Sequence, residues 1–178
     1  LNEITIIQID AHLDWRDERF GEKDGYSSPM RRASELDHIS AIHQVGIRSF
    51  GSSRKTDLEQ AKEWGSKIHS AQKIHSNGMK SVVDALPVGG QFFVSLDADG
   101  LDPSVIPGTI ALAPGGIVWW ELVELFEGLT KKEMRQYIRY IADRRLLQLG
   151  LKTNYDVNEN PLPWLDSVMG VEHQNFFE

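Results

Sequence analysis

The chain of 178 residues contains no cysteine. Disulfide bonds, thiolate metal ligands and cysteine nucleophiles are therefore excluded. Acidic residues outnumber basic ones, since the chain has 26 Asp and Glu but 19 Lys and Arg, and its formal net charge is −7. This balance argues against a nucleic acid or an anionic membrane as partner. No apolar run approaches the ~18 residues of a membrane span, and no signal peptide is visible, so we expect a cytoplasmic protein.

Apolar runs alternate with helical patterns over the first 131 residues. Strands are predicted from runs rich in β-branched or aromatic residues at Ile4–Ile9, Ile42–Ile47 and Gln91–Leu96, with a short strand at Lys73–His75. Helices are predicted over Pro29–Leu36, Asp57–Ile68 (capped by Thr56 or Asp57), Asn77–Leu86 and Val118–Leu129. This alternation predicts an α/β fold, a mostly parallel sheet covered by helices on both faces.

The pattern changes after Lys131. Residues Lys132–Leu149 predict a long basic helix with an apolar stripe, ended by Gly150. No strand is predicted after Leu129, where an α/β sheet would continue. We therefore expect two segments, a domain over residues 1–131 and a helix with an irregular tail over 132–178. Because the chain begins at Leu1 with an immediate strand, we also expect its first domain to be truncated.

Two acidic stretches each follow a predicted strand. In "DAHLD" the residues Asp10, His12 and Asp14 are spaced i, i+2, i+4, and Asp97 and Asp99 in "LDAD" repeat that spacing. Such side chains project to one side of an extended backbone. The carboxyl ends of parallel strands meet at the edge of the sheet where ligands bind. Either stretch alone is also typical of a capped loop, but together they predict a shared site.

A divalent metal would relieve the repulsion among these carboxylates. Oxygen ligands with one nitrogen suit Mn²⁺ or Mg²⁺ better than Zn²⁺ or copper. Two ions ~3.5–4 Å apart can share a water molecule and lower its pKa toward ~7, which predicts metal-assisted hydrolysis. Asp102 precedes Pro103 and is predicted to form a turn rather than to bind metal.

The strings "DAHLD", "SLDADGLDPSVIPGT" and "APGG" resemble the ureohydrolase family of arginases, agmatinases and related enzymes over residues 3–131. The string "GYSSPMRRASE" resembles an agmatinase-like subgroup. The resemblance implies a three-layer α/β fold and two Mn²⁺ ions. A metal-bridging hydroxide would attack the guanidinium carbon of a small substrate, agmatine being the first guess, and urea would leave. It also implies assembly into homo-oligomers.

Carried over by position, the resemblance implies a role for each candidate. Asp10 and Asp97 would bridge the two ions, and His12 and Asp99 would complete one of them. Asp14 would bind the other ion and hydrogen-bond the hydroxide, which makes it the catalytic candidate.

The sequence departs from the family pattern in three places. An upstream Gly-Gly-Asp-His segment that supplies another histidine ligand is absent, and so is a later strand with a substrate-binding glutamate. Where many members carry a histidine proton shuttle, Tyr26 or Ser27 stands here. The alternative function is therefore a non-catalytic remnant with weakened metal binding.

Residues 134–178 resemble another family. The strings "YIRYIADRRL", "ENPLPWLD" and "NFFE" resemble the C-terminal part of the class I ribonucleotide reductase small subunit, whose metal ligands lie upstream of this stretch. The chain then reads as a chimera joined near 131–134. A third hypothesis, supported by this segment alone, is a fragment of that reductase subunit.

Overall fold

The computed structural model describes residues 3–49, 53–109, 112–131 and 135–140, all within one compact unit, Leu1–Asp143. Five strands are present in these ranges: β1 Ile4–Ile9, β2 Ile39–Ile47, β3 Lys67–Ser70, β4 Gln91–Leu96 and β5 Arg135–Tyr140. The helices are α1 Pro29–Ala33, α2 Lys55–Trp64, α3 Ala71–Asn77, α4 Lys80–Ala85 and α5 Trp119–Lys131. Across these ranges no helix combines the length and the apolar character needed to span a membrane.

The strands form one parallel sheet in the order β3-β2-β1-β4-β5. Strand β1 is central, and its last residue, Ile9, aligns with Val45 of β2 and with Leu96 of β4. The β-branched run that predicted β1 is buried on both faces, as expected for an internal parallel strand. The predicted mostly parallel α/β fold is therefore confirmed.

Helices cover both faces of the sheet and create two hydrophobic cores. On one face, Ile7 and Ile9 pack with Val82 of α4 and Leu125 of α5. On the other face, Ile6 and Ile42 pack with Met30 of α1 and Ala61 of α2. Because alternate residues of a strand point to opposite faces, β1 contributes to both cores. The result is the three-layer α/β/α arrangement that the sequence predicts.

Two predicted boundaries in the middle of the chain are wrong. The predicted strand Lys73–His75 lies inside α3, and the strand of this region is Lys67–Ser70. This strand is short and polar, so it has little of the apolar signal on which strand prediction depends. Helix α2 begins at Lys55, and the Asp57 carboxylate caps it from the third position by accepting a hydrogen bond from the Arg54 amide at 2.7 Å.

The predicted helix over Lys132–Leu149 is also wrong where the structure describes it. Residues Arg135–Tyr140 form β5, which pairs in parallel with β4 from Gln91↔Arg135 to Leu96↔Tyr140. The backbone groups of β4 on that side need partners, and a strand supplies them although local pattern favours a helix. The sheet thus continues after α5, contrary to the prediction. Residues 141–178, with Gly150 and most of the reductase-like segment, lie outside the described residues.

Candidate metal centre

Three loops meet at the carboxyl edge of the sheet. Asp10 follows β1, Arg48 follows β2 and Asp97 follows β4. The backbone continues the sheet pattern for one step beyond the strands, since the Asp10 amide donates to the Val45 carbonyl at 3.0 Å and the Asp97 amide donates to the Ile9 carbonyl at 2.9 Å. The two acidic stretches are therefore adjacent in space, as their positions after strands predicted.

Gly100 allows these two loops to touch. It ends a single 3-10 turn, Ala98–Gly100, that follows Asp97. A Cβ atom at this position would lie 2.7 Å from the Asp10 nitrogen and 2.8 Å from the Ile9 carbonyl oxygen. Those backbone atoms cannot move without breaking the sheet edge, so a residue without a side chain is required here.

Asp10, His12 and Asp99 form a compact group that we call the acidic centre. The Nδ1 atom of His12 lies 3.1 Å from Asp99 Oδ2 and 3.5 Å from Asp10 Oδ1. One ligand atom from each of the three residues can be chosen so that all lie within 4.8 Å of one another. Asp10 and Asp99 are buried, whereas His12 is partly exposed. Each carboxylate accepts a backbone hydrogen bond: Asp10 accepts one from the His12 amide at 2.6 Å, and Asp99 accepts one from the Ala11 amide at 3.2 Å.

Burial, hydrogen bonds and neighbouring charges together shift the pKa values of the acidic centre. Burial raises the pKa of Asp10, and the nearby Asp99 charge adds to that effect. Hydrogen bonds to Asp10 and Asp99 raise the pKa of His12 to about 10. Burial acts to raise the pKa of Asp99 as well, but the hydrogen bond and charge of His12 outweigh it and the pKa is lowered. The carboxylates therefore surround a position that favours positive charge.

Asp14 and Asp97 lie beside the acidic centre rather than within it. Asp14 has a φ of 50°, in the left-handed region that aspartate tolerates better than most residues. Burial and the Asp10 charge raise the pKa of Asp14 well above its usual value, and the Asp97 charge contributes. Asp97 is exposed, and one of its carboxylate oxygens accepts a hydrogen bond from the Asp99 amide at 3.0 Å. All five candidates thus lie at one edge of the sheet, and three of them, Asp10, His12 and Asp99, have ligand atoms within 4.8 Å of one another.

The donor chemistry of the acidic centre fits a divalent cation. It offers carboxylate oxygens and one imidazole nitrogen, and His12 turns Nδ1 toward both carboxylates. Hard divalent ions such as Mn²⁺ and Mg²⁺ prefer oxygen-rich sets of ligands. The residues present are therefore suited to hold such an ion.

Asp102 has the structural role that the sequence predicted. One of its carboxylate oxygens accepts hydrogen bonds from the Ser104 amide and hydroxyl, at 3.0 and 2.7 Å. The other accepts from the amides of Gly115 and Gly116, at 3.0 and 3.3 Å. Asp102 therefore closes its own turn and fastens it to the "APGG" segment.

We expect Asp102→Ala to lower the free energy of unfolding by roughly 1–2 kcal/mol, the usual loss when a carboxylate that caps backbone amides is removed. Hydrogen bonds from Ser104 and the glycine amides lower the pKa of Asp102 to about 2, below the value of about 3.9 for an unfolded chain. The stabilisation is therefore complete above about pH 4 and is lost as the pH falls toward 2. Urea denaturation at several pH values measures it.

The control for this prediction is Asp84→Ala, an exposed aspartate on α4 that pairs with Lys80. Its effect on stability should stay below about 0.5 kcal/mol. A difference between wild type and Asp102→Ala that is the same at pH 2 and pH 5 would contradict the assigned role.

Arg48 is a residue of this edge that sequence reasoning missed. Its guanidinium donates hydrogen bonds to backbone carbonyls of three segments, those of Gly46, Asp99, Gly100, Leu101, Ala113 and Pro114. The shortest of these are to Ala113 at 2.5 Å and Asp99 at 2.6 Å. Because carbonyl partners leave no mark in the sequence, only the position of Arg48 directly after β2 could have indicated it. Arg48 therefore holds the loop that carries Asp99 by hydrogen bonds to its backbone carbonyls.

Tyr26 and Ser27, either of which the resemblance sets where many family members carry a histidine, differ in environment. Tyr26 is 68% exposed, and its hydroxyl pairs with Arg19. The Ser27 hydroxyl is buried and has no hydrogen-bond partner among the described residues. The Ser27 carbonyl accepts a hydrogen bond from the Arg16 amide at 3.0 Å, close to Asp14 in the chain. Ser27, rather than Tyr26, therefore faces the interior of this loop.

Comparison with known proteins extends these observations. A sequence profile described as "Arginase family" matches residues 1–138, which includes most of β5. The chain is 34% identical over 132 residues to an agmatinase from Bacillus subtilis, covering 74% of this chain and 43% of that enzyme. It is 31% identical over 135 residues to an N(1)-aminopropylagmatine ureohydrolase from Thermus thermophilus, covering 75% of this chain and 44% of the relative.

A solved structure gives the same result. The formimidoylglutamase of Bacillus subtilis superimposes with a TM-score of 0.63 at 29% sequence identity, covering 81% of this chain and 46% of that enzyme. The chain thus spans less than half the length of each of these relatives. The family-profile match over residues 1–138 includes the sheet edge that carries the acidic centre.

Proposed function

The chain belongs to the arginase family, and from that premise we propose that the acidic centre serves metal-assisted hydrolysis of a guanidino compound with release of urea. The observation that carries this proposal is the approach of Asp10, His12 and Asp99 ligand atoms to within 4.8 Å at the carboxyl edge of the sheet. Relatives that match this region are named for action on agmatine and N(1)-aminopropylagmatine.

We propose Mn²⁺ as the metal. Asp10, Asp97, His12 and Asp99 would hold one ion, and Asp10, Asp97 and Asp14 would hold a second one. Three of the residues proposed for the first ion, Asp10, His12 and Asp99, bring ligand atoms to within 4.8 Å of one another. Oxygen-rich ligands with a single imidazole favour Mn²⁺ over Zn²⁺. When bound, such ions polarise water and bring its pKa toward ~7.

The residues of this chain would position the substrate and the water. A guanidinium is planar and cationic, so a carboxylate-rich edge attracts it. We assign the catalytic role to Asp14, whose carboxylate would hold the attacking water by a hydrogen bond. Burial of Asp10 and Asp99 keeps the local dielectric low, which strengthens each of these interactions. Agmatine is the substrate we propose first.

The test is urea release by the purified chain with agmatine and N(1)-aminopropylagmatine, each with and without added Mn²⁺. We expect urea only when Mn²⁺ is present, and none from Asp10→Asn. Urea formation that does not depend on a divalent metal, or that Asp10→Asn retains, would overturn the proposal. Lys80→Met, which changes an exposed residue of α4, is the control for handling and folding.

A second candidate is metal binding without catalysis. The matched regions cover 43% of the agmatinase and 44% of the aminopropylagmatine enzyme, and catalysis in those proteins can draw on residues outside the match. Mn²⁺ binding by calorimetry without urea from either substrate would support this candidate. Homo-oligomeric assembly and a cytoplasmic location remain proposals of the same family-based kind.

The reductase-like segment over 134–178 also remains a proposal. The arginase-family match runs to residue 138 and therefore overlaps the first residues of this segment. Binding of the chain to a ribonucleotide reductase large subunit would support a reductase component, and absence of binding would leave the segment as a resemblance only.

A further inference from the structure

A chain of buried polar side chains lies beneath the acidic centre. Gln8 of β1 and Gln44 of β2 are 2% and 0% exposed, and Ser66, just before β3, is 7% exposed. Gln8 and Gln44 point to the face of the sheet that α1 and α2 cover, because each lies two residues from a residue of that core, Ile6 and Ile42. Three polar side chains in an apolar layer are costly unless their hydrogen bonds are complete.

The hydrogen bonds of this chain run from Ser66 to the aspartates. The Ser66 hydroxyl donates to Gln44 Oε1 at 3.0 Å, and Gln44 Nε2 donates to Gln8 Oε1 at 2.6 Å. Gln8 Nε2 then donates to Asp10 Oδ2 at 2.7 Å and to Asp14 Oδ2 at 3.3 Å. A continuous path of hydrogen bonds thus joins three neighbouring strands to two candidate metal ligands.

The available hydrogen-bond donors and acceptors fix the orientation of the Gln8 and Gln44 side-chain amides. A primary amide has two N–H donors. Gln8 gives one to each aspartate, while Gln44 gives one to Gln8 and the other to the Leu13 carbonyl at 2.7 Å. If either amide were turned over, a carbonyl oxygen would face an acceptor. Gln8 therefore presents its N–H₂ group, and not its oxygen, to the carboxylates of Asp10 and Asp14.

We propose that Gln8 is a positioning residue that sets the distance between Asp10 and Asp14, with Gln44 and Ser66 holding it in place. This rests on the proposed metal-binding function of that edge. Gln8 occupies Asp10 Oδ2, and Asp10 Oδ1 remains directed toward His12. A neutral donor between two carboxylates offsets their repulsion without bringing in a competing positive charge. Partners that orient metal ligands in this way typically affect metal affinity strongly.

The test compares Mn²⁺ affinity by calorimetry and the visible absorption of bound Co²⁺ in four variants. Gln8→Leu removes both donors at similar size, and we expect affinity to fall about 10–100-fold with an altered Co²⁺ spectrum. Gln44→Leu and Ser66→Ala should give progressively smaller losses, because they act through Gln8. Ile6→Val is the matched control on the same face of β1, and it should lower stability while leaving affinity and spectrum unchanged.

The results of these measurements can contradict the positioning role of Gln8 in several ways. Gln8→Leu binding Mn²⁺ as tightly as the wild type would overturn the inference, as would an equal loss of affinity in Ile6→Val. If the wild-type chain binds neither Mn²⁺ nor Co²⁺, the proposed function fails. The positioning role of Gln8 is then tested without metal. In that case NMR of the Gln8 side-chain amide should show slow hydrogen exchange and a resonance shift in Asp14→Asn. Rapid exchange would overturn the positioning role by itself.

Discussion

Asp99→Asn is expected to weaken the binding of one Mn²⁺ ion by more than the ~100-fold that loss of a supporting partner can cost. Asp99 is a direct ligand candidate, with Oδ2 3.1 Å from His12 Nδ1. Asparagine keeps an Oδ1 that can accept the hydrogen bond of the Ala11 amide, which Asp99 accepts at 3.2 Å. The loop should therefore stay in place while the charge that attracts the ion is lost.

Calorimetric titration with Mn²⁺ measures this effect, and unfolding in urea checks that the fold persists. Asp97→Asn is the informative companion, because Asp97 is exposed and outside the ligand-distance group. Because Asp97 would contact both ions, we expect its replacement to weaken the binding of both, whereas Asp99→Asn should affect one. Asp84→Asn, on the exposed face of α4, should change neither. Undiminished Mn²⁺ binding by Asp99→Asn would remove Asp99 from the ligand set.

The fold could be predicted from the sequence where burial controls composition. Strands β1 and β4 coincide with the predicted Ile4–Ile9 and Gln91–Leu96, because a strand buried on both faces must be almost continuously apolar. Strand β3 escaped prediction since Lys67–Ser70 is polar and only partly buried. Strand β5 escaped because pairing with β4 decides its conformation, and pairing is invisible to a local pattern.

The acidic centre could be predicted because candidate ligands at two-residue spacing follow two strands, whereas the residues that support it could not be predicted. Gln8 and Gln44 did leave a signal, a glutamine in each of the apolar runs "ITIIQI" and "IHQVGI", and a buried amide always needs partners. Those partners come from β1, β2 and the start of β3, so they are known only once the strand order is known.

Arg48 shows how strongly the site depends on such supports, and Arg48→Met is expected to lower the free energy of unfolding by about 3–5 kcal/mol. Methionine fills most of the volume but leaves several carbonyls without a charged donor, including those of Asp99 and Ala113. Gly116 shows how tightly the guanidinium is enclosed, since a Cβ there would lie 2.6 Å from Arg48. Typical free energies of unfolding are about 5–15 kcal/mol, so this loss is a large fraction of the total.

Chemical denaturation of Arg48→Met, Arg48→Lys and Lys80→Met separates the causes. Lysine restores the charge, but one ammonium cannot reach carbonyls on three segments in the fork geometry of a guanidinium, so Arg48→Lys should recover only part of the loss. Lys80 forms an exposed pair with Asp84, and its replacement should cost at most about 0.5 kcal/mol. If charge alone mattered, Arg48→Lys would match the wild type. The expected partial recovery instead assigns the effect to hydrogen bonds, through which the end of β2 holds the Asp99 loop against the end of β1 and keeps Asp99 within reach of His12.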